Sequence, residues 1–133
     1  MKAYPYLFFG GNCAEAVDFY SDALGAEVRA LVRFSDMPGA SPDAGHHVAH
    51  AELDVGGTPI FASDGGRRTG ETNGFAISLQ VDDDAEAERV FAALVQDGAS
   101  DIPLMTTPFA SRFGKATDRY GTTWMITTPQ PAL

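Results

Sequence analysis

The sequence predicts an α+β fold: two tandem βαβββ units whose curved mixed sheets enclose a shared cleft, with the helices on the outer face. Three observations carry this. The candidate elements run strand, helix, three strands, and the same order then repeats. Asp54-Val55-Gly56-Gly57-Thr58-Pro59-Ile60-Phe61 aligns with Asp118-Arg119-Tyr120-Gly121-Thr122-Thr123-Trp124-Met125, an offset of 118 − 54 = 64. Leu24-Gly25-Ala26 matches Asp97-Gly98-Ala99 at 98 − 25 = 73, and the difference falls where the first half has a long loop at 35–45. Self-similarity at a fixed offset marks a repeated structural unit. Each sheet must bury one face under its own helix, which leaves the opposite faces to line the cleft. Unit one covers about 1–64, a linker 65–73 and unit two about 74–128, all within one domain, 1–133.

The elements follow in order. Tyr4 to Phe9 is short, aromatic and stopped by Gly10-Gly11, so it reads as a strand. Pro5 belongs at its start or on an edge, because proline cannot donate to a ladder. Asn12 with Glu15 three residues later forms a variant capping box. Ala16, Phe19, Tyr20, Ala23 and Leu24 then give one apolar helical face, and Gly25 is the expected stop. Ala26 to Phe34 reads as a strand and 35–45 as a loop. His47 to Val55 alternates, and Gly56-Gly57 turns it into Thr58–Ser63. Residues 64–70 read as a second loop. Phe75 to Val81 is a half-buried strand. Asp82-Asp83-Asp84 opens a helix carrying Ala87, Val90, Phe91, Leu94 and Val95, which Gly98 closes. Short strands around Ile102–Met105, Arg112–Thr117 and Thr122–Thr127 complete the chain.

Composition narrows the class. Nine Lys and Arg against 18 Asp and Glu leave a formal charge of −9 in 133 residues. That balance disfavours nucleic acid and anionic membrane surfaces, which both call for basic patches. With 44% hydrophobic residues the chain can build a core. The lone Cys13 permits no intrachain disulfide, which fits a reducing compartment. The apolar start is too short for a signal peptide, and no stretch reaches membrane-spanning length. The expectation is an acidic cytoplasmic domain.

Tandem βαβββ units with Phe19-Tyr20 followed by Leu24-Gly25 resemble the vicinal oxygen chelate superfamily of glyoxalase I, bleomycin-resistance proteins and extradiol dioxygenases. The chain is most similar to the PhnB-like branch. The matching stretches are 5–16, Ala49-His50-Ala51, Ala62-Ser63-Asp64, Arg112-Phe113-Gly114-Lys115, Asp118, Gly121 and Trp124-Met125. Members of that branch often carry a ubiquinone-methyltransferase label. This sequence has no Gly-rich strand-to-helix turn for a nucleotide-like cofactor, and its element order is not alternating βα.

In metal-dependent relatives, the resemblance implies four ligands, from the first and fourth strands of each unit. Carried over, these positions fall on Pro5, Phe61, Ala76 (Phe75 if the strand slips by one) and Met125. Pro, Phe and Ala offer no donor, and a thioether suits hard or borderline divalent ions poorly. The expectation is therefore no metal and no other cofactor. His46, His47 and His50 lie near Glu52 and Asp54. Residues two apart on a strand share a face at roughly 6.6 Å, so His50 and Glu52 could grip an ion with a third donor.

Phe9, Phe61 and Met125 are expected to line the cleft with apolar surface, joined by Ser63, Ser78 and Gln80. Thr123 and Thr127 share the inward face of the last strand with Met125, and Trp124 and Ile126 belong to the core. His50 reads as a polar lining residue or a catalytic base. Asp64 is a turn starter before Gly65 or a carboxylate at the cleft rim. Aligning Asp54 with Asp118 sets Arg112 at the place of Val48, on the cleft face with Gly114 and Ala116. Arg112 could then clamp a carboxylate or phosphate, or simply pair with surface acids, and Lys115 points the other way. Cys13 reads as structural, and Gly114-Lys115 lacks the rest of a P-loop.

Two functions fit. One is a metal-independent protein that binds a small molecule in the cleft. The other is a lyase- or isomerase-type enzyme using His50, Asp64 and Arg112, or a relocated metal held by His50 and Glu52. Relatives of this fold usually pair, so a homodimer is also expected, and the aromatic first strand would leave an apolar edge on a monomer.

Overall fold

The computed structural model describes residues 1–41, 43–66 and 73–129. The chain forms two compact units, Met1–Thr69 and Gly70–Leu133. Residues 67–72 of the expected linker lie outside the described residues.

In the first unit β1 (Tyr6–Phe8) leads into α1 (Cys13–Leu24), then β2 (Glu27–Arg33), a 3-10 turn at Phe34–Asp36, β3 (Val48–Val55) and β4 (Thr58–Ser63). The strands form one mixed sheet in the order β1-β4-β3-β2, with β1 parallel to β4 and the other pairs antiparallel. Helix α1 packs against β2 and β3. Its buried face is Cys13, Ala16, Val17, Tyr20 and Ala23. Leu7, Phe9, Ala51, Leu53, Ile60 and Ala62 meet it as the first core. Gly25 stops the helix at φ 68°, where its N–H reaches the Ser21 carbonyl. A left-handed residue there lets the last carbonyls find donors, and glycine adopts that conformation without a Cβ clash.

The second unit repeats the plan with β5 (Ile77–Gln80), α2 (Asp84–Val95), β6 (Ala99–Thr107), β7 (Ala110–Thr117) and β8 (Thr123–Pro129). The sheet order is β5-β8-β7-β6, and β5 runs parallel to β8. Asp83 caps α2 by accepting from Glu86 N (2.8 Å), and the Glu86 carboxylate accepts from Asp82 N (3.1 Å). Trp124 and Ile126 are buried, as expected of a core pair. The Trp124 indole donates to Asp118 (2.8 Å), whose other oxygen accepts the amides of Tyr120 and Thr122 in the β7–β8 turn. The corresponding first-unit turn uses Asp54, which accepts from Gly57 N (2.7 Å).

Local departures from the sequence expectation have physical reasons. Asn12 makes no side-chain cap; the amides around it go to Asp64 instead. The left-handed residue closing α2 is Asp97 (φ 59°), not Gly98. Gly98 is required for closeness: a Cβ there would stand 2.3 Å from the Thr117 carbonyl oxygen. Among the described residues no helix is long and apolar enough to cross a membrane.

Because that neighbour is backbone and cannot swing away, Gly98→Ala is expected to destabilise the protein by about 2 kcal/mol. A denaturation midpoint equal to that of the parent chain would show the close approach to be unimportant.

Candidate functional site

Alternation along the first sheet sets its uncovered face. Leu7 on β1 and Phe9 just beyond it turn toward α1, leaving Tyr6 and Phe8 outward. On β4, Ile60 and Ala62 go inward, so Phe61 and Ser63 share the outward face. On β3, Ala51 and Leu53 are buried and His50, Glu52 and Asp54 alternate with them. The register sets Tyr6 beside Phe61 and Phe61 beside Glu52. The result is a cluster of rings. Phe61 lies 5.6 Å from Tyr4 in an edge-to-face pair, 5.9 Å from Tyr6 and 5.3 Å from His50. Tyr6 stacks on Phe8 at 5.0 Å. The Tyr6 hydroxyl and His50 Nδ1 are hydrogen-bonded at 2.9 Å. Tyr4, Tyr6 and Phe8 keep 38%, 38% and 43% of their surface exposed, so the rings form a surface and not a core. Gly66 allows it: a Cβ there would strike the Phe8 ring at 2.2 Å.

Asp64 stands just beyond β4 and does different work from that expected. Its Oδ1 accepts from Gly11 N (2.8 Å) and Cys13 N (3.0 Å), and its Oδ2 from Val48 N (2.9 Å). A carboxylate so occupied ties the β1–α1 turn and the start of β3 to the end of β4. It is a structural anion, not a base at a cleft rim. The chain does carry a Gly10-Gly11 turn from strand into helix, but Asp64 takes the amides that an outside anion would need.

Several expected lining residues also lie elsewhere. Phe9 is 1% exposed and sits against Tyr20, on the helix side. The outward residues of β1 are instead Tyr6 and Phe8, since the strand alternates one residue out of phase with the expectation. Ser63 is outward by register but buried, donating to the Ala49 carbonyl (2.8 Å) and accepting from Gly65 N (2.7 Å). Phe61 and Glu52 are on the open face as expected, both half-buried.

In the second unit Ser78 lies beside Met125 and Gln80 beside Thr127, on the face turned away from α2. Ser78 and Gln80 are exposed and Met125 is half-buried. Arg112 is not on that face. It reaches the α2 carboxylates of Asp84 and Glu88, each at 3.4 Å, and donates to the Ser111 carbonyl (2.8 Å). Gly114 and Ala116 are buried, and a Cβ on Gly114 would meet Phe91 of α2 at 3.0 Å, so their face is the helix face. The error is one of register. Phe61 and Met125 correspond at 125 − 61 = 64, but their β3 and β7 partners, Glu52 and Lys115, correspond at 115 − 52 = 63. One extra residue in the second turn moves Lys115 to the open face and Gly114 and Ala116, with Arg112, off it.

The fit of a metal can be tested on the donors. Pro5 precedes β1, and the residue beside Phe61 is Tyr6; the residue beside Met125 is Ser78, not Ala76. Phenol, benzyl, hydroxymethyl and thioether groups form no divalent metal site of the kind that the superfamily uses. Among the described residues no three His, Cys, Asp or Glu side chains come together, around His50 and Glu52 or elsewhere. The residues do not fit the metal.

Two such βαβββ units in one chain define a protein of the vicinal oxygen chelate fold. A glyoxylase/bleomycin resistance/dioxygenase domain from Frankia sp. EAN1pec shares it at 15% identity and a TM-score of 0.72, over 100% of this chain and 94% of that one. Within that fold the chain belongs to the PhnB-like family described as 3-demethylubiquinone-9 3-methyltransferase, whose profile matches residues 1–127. Protein YjdN of Escherichia coli K12 is 32% identical, covering 95% of this chain and 94% of its own. The structure of protein PA1353 from Pseudomonas aeruginosa is similar at 40% identity and a TM-score of 0.88, over 98% of this chain and 99% of that one. The PhnB protein from Bacillus cereus follows at 27% and 0.81, over 96% and 99%.

Two outcomes follow from the Asp64 junction. Asp64→Asn replaces a charged acceptor of three amides and is expected to destabilise the fold by about 2 kcal/mol, read from the urea midpoint. An unchanged midpoint would remove Asp64 from its structural role. Burial, and secondarily the Asp64 charge, push the Cys13 thiol from 9.0 up to about 12. The folded chain therefore holds this proton more tightly than the unfolded one. Its contribution to stability is complete below pH 9 and declines as pH rises from there toward 12. The gap in melting temperature between the parent chain and Cys13→Ala should narrow, or reverse, across that range; a constant gap would contradict it.

Proposed function

We propose that this protein binds a small organic molecule on the aromatic face of its first sheet, without the metal of its superfamily. The carrying observation is the ring surface of Tyr4, Tyr6, Phe8 and Phe61, partly exposed and set beside His50 and Glu52. Apolar, ring-lined clefts with a few directed polar groups are the usual build of small-molecule sites, and this face supplies the same lining chemistry. Membership of a family matched over nearly the whole chain supports the fold that carries such a face and leaves the ligand open.

A second reading has one observation in its favour. The Tyr6 hydroxyl engages His50 Nδ1 and thereby sets the imidazole's orientation, leaving Nε2 for proton transfer. This reading makes the protein an enzyme of the lyase or isomerase type. It no longer includes Asp64 or Arg112, whose charges serve the scaffold.

Amide spectra recorded against a library of small organic compounds test the first reading. The expected shifts gather at Tyr6, Phe8, His50 and Phe61, with retained metal substoichiometric after incubation with zinc, nickel, manganese or ferrous iron and desalting. A library that moves none of these amides, or a stoichiometric metal, would sink it. Turnover of a bound compound that disappears in His50→Ala would establish the second reading.

A further inference from the structure

We infer that the aromatic face of the first sheet is a site for an organic cation, with Glu52 as its counter-ion. This inference rests on the reading of that face as a ligand site and names the chemical class of the ligand. Two acids on one strand differ in their surroundings. Glu52 and Asp54 alternate onto the same face of β3. Asp54 has its own cation, with Arg29 3.4 Å away, and also accepts from Gly57 N. Glu52 has none: among the described residues no Lys, Arg or hydrogen-bond donor reaches its carboxylate. It is nevertheless half-buried and lies directly across from Phe61, a pairing in which Cβ atoms stand about 5 Å apart.

The rings beside it act in the same sense. Faces of aromatic rings carry negative potential and attract cations within about 6 Å. Here Tyr4 and Phe61 meet edge to face at 88°, and Tyr6 tilts by 53° against Phe61, so this surface presents rings in more than one orientation. An anion would meet ring faces and a carboxylate, both repulsive. A neutral aromatic ligand would cover Glu52 without pairing it, and a half-buried acid left unpaired is unfavourable. A metal ion would find one carboxylate and one imidazole, whose Nδ1 is already hydrogen-bonded to Tyr6, and no third His, Cys, Asp or Glu among the described residues. A tertiary or quaternary ammonium with small apolar substituents satisfies the rings and the acid together, and the chain's net charge of −9 favours its approach.

Choline and 3,3-dimethylbutan-1-ol form the decisive pair of probes, since they share shape and hydroxyl and differ by a cationic nitrogen in place of a carbon. In titrations followed by amide shifts at constant ionic strength, choline is expected to move Tyr6, Phe8, Glu52 and Phe61. It should bind about tenfold more tightly than the neutral alcohol. Glu52→Gln should remove most of that preference and leave the alcohol's affinity unchanged, its own spectrum reporting that it folds. If the alcohol binds these residues as tightly as choline, the cation inference is wrong and the aromatic ligand site stands. If neither probe moves them while other library compounds do, the inference again fails alone. If nothing moves them, the inference and the proposed function fail together.

Discussion

The carboxylate of Asp64 accepts from Gly11, Cys13 and Val48, and the first unit's open face depends on where it pins these three amides. Strand β1 has only three residues and one neighbour, β4, so its ladder alone is a weak hold. Its side chains give little help. Tyr6 and Phe8 are as apolar as Leu7 and Phe9, and a slip by one residue would exchange the two pairs between faces. Hydrophobic burial barely distinguishes the two registers. Fixing Gly11 against the end of β4 does, because it sets how much chain separates the strand from the helix. The rings around Phe61 are therefore positioned by a charge that never touches them.

That separation of roles explains why the charged residues divide as they do. Asp64, Asp118, Arg112 and Asp84 are all engaged with backbone, indole or one another, and each holds an element boundary. The open sheet faces keep the charged side chains that do not serve the scaffold, Glu52 on the first and Lys115 on the second. Chemistry in this protein belongs to what the scaffold leaves over. The acidic composition is accordingly a poor guide to the site, since most of the acids lie elsewhere.

The fold was legible because its signals are local. Helix periodicity, glycine stops, the two Asp-to-Gly turns and the offset of 64 all lie within short windows or recur at fixed distance. The superfamily and the PhnB-like family followed from those same stretches. The site was legible only where strands alternate polar and apolar, as β3 does at His50 and Glu52. It was not legible on β1, where four consecutive apolar residues give no phase, so Phe9 was expected where Tyr6 and Phe8 stand. Nor was Arg112, because a one-residue change in turn length inverts a strand and leaves the alignment of the turn residues intact. Asp64 offered no sequence signal for its three amides, which come from segments 16 to 53 positions away.

The junction that Asp64 forms has a counterpart built from other atoms. Thr128, 64 residues on, accepts from Arg112 N (2.7 Å) as Asp64 does from Val48 N, and meets Ser111 and Asp84. In one unit the carboxylate stands at the strand end and faces amides of the helix start. In the other it stands on the helix and faces hydroxyls of the strands. If the halves descend from one duplicated ancestor, their history here required paired replacements, since an acid at both places would set two negative charges together, and an acid at neither would leave the first unit's amides, or the second unit's hydroxyls and Arg112, without an anion. The two halves still share a fold, yet their residues at this joint are no longer interchangeable one at a time.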